Sequence, residues 1–355
     1  MRKRLVFLPV VCLLLSVFSG CGARSATAAK AGAVSSAMPS KAGSETPSSA
    51  ASEAALSSAA PKRASSSKGT PKVYMTKHIT PDGLMAVYHA LGRKATGKVA
   101  VKLTVGEPGD TYYLSPTLIK KLVLSVKGTF VDCNTAYGGG RSETAMHLQV
   151  AKDHGFTAYS SMDIMDSDGS FEIPVEGGKH LQKDIIGSHL KNYDSVIVLS
   201  HFKGHTMGGF GGAIKNMSIG IAAQKGKSWI HSAGTSTQSG VLASQDDFLE
   251  SMAEAAKAVA DYSGDHIMYI SVMNNLSVDC DCVSNPAKPE MKDIGILGSL
   301  DPVALDKACV DRVYAAPDGK ALIERIESRN GKHTLDYAEK IGLGSRTYKL
   351  INIDG

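Results

Sequence analysis

Two pairs of side chains in this sequence are of the types that bind metal ions. His201 and His205 are separated by three residues, and Cys280 and Cys282 flank a single aspartate. Two imidazoles and two thiolates form the Cys2His2 set that Zn²⁺ or another borderline-soft divalent metal takes. The histidine pair alone would be weak support, but the cysteine pair strengthens it. We therefore predict a divalent metal cofactor of unidentified type, held by these four residues.

A glycine-rich segment follows the two histidines. Its glycines leave room for a ligand to approach the backbone, and Lys215 supplies a positive charge. The segment is not a phosphate-binding loop of the Walker A type, because no Lys-Ser or Lys-Thr follows the last glycine, and a tight packing corner is the alternative. We predict that it binds a small anion together with polar residues that follow another strand. The predicted ligand-binding residues are Asn134, Arg141, Gly208, Gly209, Gly211, Gly212 and Lys215.

His231 is a candidate catalytic residue. It follows two lysines in the sequence, and it would act as a general acid or base if its side chain faces the same pocket.

Strands and helices alternate along the chain and must position these groups. The run 195–199 is short, apolar and rich in β-branched residues, which is typical of a strand buried on both faces of a parallel sheet. Further strands are predicted at 130–132, 157–162 and 266–272, and a helix at 213–223. This order predicts an α/β fold with a mostly parallel sheet and helices on both faces, as a single large domain. Ligands collect at the carboxyl edge of such sheets.

The first 72 residues have a different character. Arg2-Lys3-Arg4 and the apolar run that follows predict a signal peptide over residues 1–20. Phe18-Ser19-Gly20-Cys21 resembles a bacterial lipobox, so we expect lipidation at Cys21, with a plain secretory signal as the alternative. Residues 21–72 are rich in alanine and serine and predict a disordered tether before a domain at 73–355. The expected location is the extracytoplasmic face of a bacterial cell membrane, through a lipid anchor.

The charge of the chain argues against nucleic acid as a partner. The net charge of the whole sequence is +5, but the signal contributes three positive charges and residues 21–70 a net of four. The remaining domain therefore has a net charge of −2, which gives no electrostatic basis for binding a polyanion.

The cysteines allow a second interpretation. Outside the cytoplasm a disulfide can persist, and Cys133 could pair with Cys280 or Cys282 if their strand ends adjoin. Free buried thiols, including Cys309, are the remaining alternative.

Several ordered motifs together resemble the DUF362 family of bacterial and archaeal proteins. They are Gly139-Gly140-Arg141-Ser142, 151–156, 201–205, 208–216, 278–282, 293–297 and 301–306. The resemblance runs from Lys98 to the C-terminus and implies no settled activity. Many members of the family carry a ferredoxin-like insert with two four-iron clusters. No cysteine lies between His231 and His266 here, so no iron–sulfur cluster is expected.

Two classes of function follow from these features. The first is a metal-dependent oxidoreductase, isomerase or hydrolase that acts on a small anionic molecule. The second is a lipoprotein that binds a metal or an anion without catalysis. A catalytic metal keeps an open coordination position, whereas a structural site is closed by four protein ligands.

Overall fold

The computed structural model of this protein describes residues 69–355. The predicted signal peptide, the lipidation site Cys21 and nearly all of the predicted tether lie outside the described residues. The described part has a mixed α/β fold with a large, mostly parallel sheet between helices, which confirms the predicted fold class.

Twelve strands form within residues 69–355. In chain order they are β1 (Lys72–Thr76), β2 (Val99–Lys102), β3 (Thr129–Asp132), β4 (Met162–Ile164), β5 (Ser170–Pro174), β6 (Lys183–Gly187), β7 (Ser195–His201), β8 (Lys203–His205), β9 (Gly209–Gly211), β10 (Ile267–Met273), β11 (Gly295–Ser299) and β12 (Lys349–Asn352).

Eight of these strands make up the main sheet, in the order β12-β1-β11-β10-β7-β2-β3-β4. All neighbouring pairs are parallel except those that involve β11, which runs antiparallel to both β1 and β10. The pairs β5-β6 and β8-β9 form two separate antiparallel ladders.

The same part of the chain forms nine α-helices. They are α1 (Pro81–Ala90), α2 (Pro116–Ser125), α3 (Thr144–Asp153), α4 (Ala213–Ser218), α5 (Gln224–His231), α6 (Gln245–Ser263), α7 (Pro302–Ala315), α8 (Lys320–Ser328) and α9 (His333–Lys340). Local signals account for several starts. Thr80 accepts a hydrogen bond from the backbone amide of Gly83, and Pro81 occupies the first turn of α1.

Two hydrophobic cores lie on opposite faces of the sheet. Successive residues of a strand point to opposite faces, so Ile197 packs in the core formed with α1, α2 and α3. Its neighbours Val196 and Val198 pack in the core formed with α4 to α9. Because both faces are covered, the central strands are apolar throughout and not alternating.

The predicted strand at 157–162 is largely wrong. Gly155 has a φ of +83° and ends the turn after α3, and residues Phe156–Ala158 form a 3-10 turn. Phe156 is buried edge-on against Phe130, so its apolar character reflects core packing of a turn. Strand β4 begins only at Met162. The helix predicted at 213–223 is shorter than expected, because α4 ends at Ser218.

Strands β2, β3, β7 and β10 are parallel neighbours, and they end at Lys102, Asp132, His201 and Met273. The polar groups at and beyond these ends therefore share one edge of the sheet. The fold thus brings together the polar groups that could form a functional site.

Candidate functional site

A cavity of about 300 Å³ lies at this carboxyl edge. Its walls are the ends of β2, β3 and β7, the β8-β9 hairpin, helices α4 and α5, and the loop after β10. The residues predicted from the sequence that line it are Arg141, His201, His205, Gly211, Gly212, Lys215, His231, Cys280 and Cys282.

A buried ion pair lies at the base of the cavity. The Nζ of Lys102 is 3.0 Å from Oδ1 of Asp132, and it also donates to Asn216 Oδ1 and to the carbonyl of Leu103. Burial alone would raise the pKa of Asp132, but the positive charge of Lys102 and contacts from His147 and Arg141 lower it well below its usual value. Asp132 is therefore ionised and neutralises Lys102.

Arg141 is held by protein groups on several sides. Its Nε donates to Glu107 Oε1 at 2.9 Å, and its Nη1 donates to Thr104 at 2.7 Å and lies 3.4 Å from Asp132 Oδ2. Its Nη2 donates to the hydroxyl of Tyr137. The guanidinium thus contributes charge to the cavity, while most of its donors are already used.

A second buried ion pair closes another wall. Lys203 contacts the carboxylate of Asp281, and both side chains are almost fully buried. His201 lies beside this pair, with Nδ1 3.3 Å from Asp281 and Nε2 donating to the carbonyl of Asn274 at 2.6 Å. Burial and the charge of Lys203 lower the pKa of His201 to about 3. Both ring nitrogens face protein groups, so this geometry does not favour His201 as a metal ligand.

Lys215 and Lys227 differ from these paired lysines. Within the described residues neither makes an ion pair with a carboxylate, and Lys227 donates to the backbone carbonyl of Ala222. Burial, together with the charges of Arg141 and Lys102, lowers the pKa of Lys215 to about 7. The cavity therefore contains more cationic groups than its carboxylates can neutralise.

His231 lines the same cavity, as predicted. Its Nδ1 lies 2.6 Å from the carbonyl of Lys227, so Nδ1 carries the proton and Nε2 is an acceptor. The ring stacks on Phe248, with ring centroids 4.7 Å apart. Burial lowers the pKa of His231. A neutral imidazole with an unprotonated Nε2 is the form that can accept a proton from a bound molecule.

Three of the four predicted metal ligands come together. Ligand atoms of His205, Cys280 and Cys282 lie within 4.8 Å of one another. Cys280 and Cys282 are joined by a disulfide, whereas Cys133 and Cys309 are free and buried. The alternative pairing of Cys133 with either of them is therefore wrong. The Cys133 thiol instead donates to the carbonyl of Ile221.

The arrangement shown does not fit a bound metal ion. A disulfide provides no thiolate, and Nδ1 of His205 accepts hydrogen bonds from the amides of Met207 and Gly208. In the neutral ring the proton is then on Nε2, which leaves no free lone pair for a metal. The three residues become a ligand set only when the disulfide is reduced and the proton of His205 moves from Nε2 to Nδ1, which would break the two amide hydrogen bonds.

The glycine-rich segment has a structural as well as a lining role. Gly211 and Gly212 line the cavity. The first two backbone amides of the following helix, α4, are already paired within the protein. The buried carboxylate of Asp306 accepts from the amides of Ala213 and Ile214, at 2.7 and 2.9 Å. A Cβ at Gly212 would lie 2.3 Å from Asp306 Oδ1, so glycine is required there for this close approach.

Three predicted ligand-binding residues lie outside the lining of the cavity. The side chain of Asn134 donates to Thr144 Oγ1 at the start of α3. Gly208 donates its amide to His205, and Gly209 packs against the backbone of Ile326. These contacts support neighbouring elements and give no direct access to a ligand in the cavity.

A second group of ligand-type side chains lies elsewhere, and it serves the fold. Glu250 on α6 accepts hydrogen bonds from Lys179, His180 and His333. Burial would raise the pKa of Glu250, but these hydrogen bonds lower it to about 2. The neighbouring Glu254 accepts from three successive backbone amides, 179–181. The two carboxylates therefore fasten this loop to α6.

The sequence did not single out Lys102, Lys203 or Lys227 as site residues. Lys102 ends an apolar strand, Val99–Lys102, and a lysine at that position is an unusual choice for a buried strand. A lysine in an otherwise apolar strand could therefore have identified Lys102 as a site residue from the sequence. Lys227 is part of a short helix that the sequence did not predict, so no signal of its side-chain direction was available.

Comparisons with known proteins give one match to a family. The sequence model of the domain of unknown function DUF362 matches residues 99–311. No curated protein matches the chain. No helix within residues 69–355 combines the length and the apolar composition needed to span a membrane.

Two solved structures are similar to parts of the chain. The lactate racemase apoprotein from Thermoanaerobacterium thermosaccharolyticum is 15% identical, with a TM-score of 0.36 over 56% of this chain and 50% of that one. A protein from Thermotoga maritima is 12% identical, with a TM-score of 0.41 over 66% of this chain and 58% of that one. The chain thus spans about half the length of the first and less than two thirds of the second.

Proposed function

Because this chain belongs to the DUF362 family, whose description assigns no activity, we propose its function from the cavity itself: it binds a small anionic molecule at the carboxyl edge of the sheet. The observation that carries the proposal is the surplus of positively charged groups lining the cavity. Lys215 and Lys227 line the cavity without a carboxylate partner in the described part of the chain, while Asp132 and Asp281 are taken by other lysines.

The excess of positive charge in the cavity is unfavourable when no ligand is bound. A buried ammonium group loses hydration, and neighbouring cations add repulsion, which is why the pKa of Lys215 is lowered to about 7. A bound anion would neutralise this charge and would raise the pKa of Lys215 again. Binding should therefore be accompanied by proton uptake near neutral pH, and it should weaken as the pH rises and Lys215 loses its proton.

The size of the cavity favours a small ligand. About 300 Å³ is at the lower end of the range for small-molecule sites. A short carboxylate or inorganic phosphate suits this volume better than a nucleotide. His231 would accept or return a proton in an enzyme that uses this site, and it would be dispensable in a protein that only binds the anion.

Calorimetric titration with inorganic phosphate and with propionate, at constant ionic strength, tests the proposal. We expect binding in the wild type and at least a tenfold rise in Kd for Lys215→Met, because a hydrogen bond to a charged group contributes about 1.5–3 kcal/mol. Lys320→Met is the matched control, since Lys320 is exposed and does not line the cavity. Equal affinity in the two variants, or no binding of any anion, would contradict the proposal.

A metal-binding role is the second candidate, supported by the clustering of His205, Cys280 and Cys282. It requires the reduced form, so we expect zinc to be retained only after treatment with a thiol reductant, and to be lost in Cys280→Ser. Cys309→Ala is the control, because that thiol is buried away from the cluster. Elemental analysis that finds no metal in either redox state would remove this candidate.

The location of the protein is proposed on the sequence alone. The signal peptide and the lipobox-like segment ending at Cys21 support a lipid anchor at the extracytoplasmic face of a bacterial membrane. A tethered anion-binding domain would then meet its ligand outside the cytoplasm.

A further inference from the structure

Lys215 is the least engaged of the four cavity lysines. Lys102 makes three polar contacts, Lys203 contacts Asp281, and Lys227 donates to a backbone carbonyl. Within residues 69–355 the Nζ of Lys215 takes part in no hydrogen bond or ion pair. An amine on a half-buried side chain that lines a cavity and has no partner among these residues is available to a ligand.

The backbone that carries Lys215 is firmly held. It is the third residue of α4, and Asp306 binds the first two amides of that helix. The following residue, Asn216, is fixed by hydrogen bonds with Lys102 and with the carbonyl of Leu199. Gly211 leaves open space along the Lys215 stem, because a Cβ at Gly211 would come no closer than 4.0 Å, to Cδ. The amine is thus presented to the cavity from a fixed base.

The surroundings also favour the neutral amine. Burial and the nearby charges of Arg141, Lys102 and Lys227 lower the pKa of Lys215 to about 7, and the charge of Asp132 opposes them. A substantial fraction of the amine is then unprotonated at neutral pH. The free amine, and not the ammonium ion, is the nucleophile that attacks a carbonyl carbon, and desolvation beside another cation is an established way to activate lysine.

We propose that Lys215 forms an imine with a small anionic carbonyl compound of the 2-oxo acid type. This inference rests on the proposed anion-binding function and names the substrate class. The Nζ lone pair attacks the carbonyl carbon, and a proton moves from nitrogen to oxygen to give a carbinolamine. Loss of that oxygen as water then forms the C=N bond, so nothing is oxidised or reduced.

Two neighbours have defined parts in this step. Lys227 is the second cation without a carboxylate partner among the described residues, and it pairs with the carboxylate of the bound compound. His231 lines the same cavity and is close enough that the charge of Lys215 contributes to lowering the pKa of His231. Because the bound carboxylate raises the pKa of Lys215, Nε2 of His231 takes up the extra proton of the Lys215 ammonium before the attack and returns it to the departing water.

Trapping with a reductant tests this inference. The full chain is incubated with pyruvate and cyanoborohydride, digested, and mapped by mass spectrometry. We expect the reduced adduct on the peptide that contains Lys215, and at least a tenfold lower yield on other lysine peptides. Lys215→Arg, which keeps the charge but has no primary amine, should lose that adduct. Lys320→Arg is the control and should keep the adduct on Lys215, because Lys320 is exposed and does not line the cavity.

The outcomes separate this inference from the proposed function. Propionate has the carboxylate but no ketone, so it should bind without being trapped and should reduce trapping by pyruvate. If propionate and phosphate bind but pyruvate labels Lys215 no more than exposed lysines, the imine is ruled out and the anion site stands. If no anion binds, the proposed function itself fails. The wild-type peptide map identifies the labelled residue, so the result does not depend on whether the arginine variant folds.

Discussion

The buried pair between Lys102 and Asp132 permits a quantitative prediction. Replacing Asp132 with asparagine keeps the shape of the side chain but removes its negative charge. Lys102 then stays buried with only neutral partners, Asn216 and a backbone carbonyl, because its side chain is 1% exposed. Removing one partner of a buried pair typically costs about 3–5 kcal/mol.

We expect a loss near the lower end of that range, about 3 kcal/mol, for two structural reasons. Lys102 retains neutral acceptors, and Arg141 retains its hydrogen bond to Glu107. Urea denaturation would measure the loss as a lower midpoint with an unchanged slope. Asp82→Asn is the matched control, because the Asp82–Lys121 pair is largely exposed and should change stability by less than about 1 kcal/mol.

A double-mutant cycle would identify the source of the loss. If the penalty comes from an unneutralised Lys102, then adding Lys102→Met to Asp132→Asn should recover about 1–3 kcal/mol relative to the sum of the two single losses. Phosphate should also stabilise Asp132→Asn more than the wild type, because the variant cavity has one more uncompensated positive charge. A loss below about 1 kcal/mol for Asp132→Asn, or additive single losses, would refute this reasoning.

Three further predictions follow from individual contacts. Since the pKa of Glu250 is lowered to about 2 in the folded protein, Glu250 contributes about 2–3 kcal/mol to stability above pH 4.5, and this is lost as the pH falls towards 2. Glu250→Gln should therefore flatten the acid limb of a plot of stability against pH, and an unchanged limb would contradict this. Gly212→Ala should cost about 1–3 kcal/mol in urea denaturation through its clash with Asp306, whereas Gly138→Ala, with open space around it, should be neutral. Cys21→Ala should move the protein from the detergent phase to the aqueous phase, and equal partitioning of variant and wild type would exclude lipidation.

The sequence determined the fold class and the family. Apolar runs such as 195–199 and capped helix starts such as Thr80-Pro81 are local signals, and local signals are enough to order strands and helices along a chain. The motifs that resembled DUF362 were matched by the family model over residues 99–311, which confirms that resemblance. The sequence also predicted correctly that the parallel strand ends would place His205 and the Cys280–Cys282 pair together at one edge of the sheet.

Only the tertiary structure decided which side chains share the cavity and what state they adopt. Asp132, Asp281 and Asp306 reach their partners across 30 to 93 residues, so no local pattern could show that two of them neutralise lysines and the third holds α4. The pKa of Lys215 is set by burial and by charges from other elements, which are absent until the chain is packed. A residue type indicates what chemistry a side chain can do. The groups that surround it in the folded protein determine whether it is free to do so.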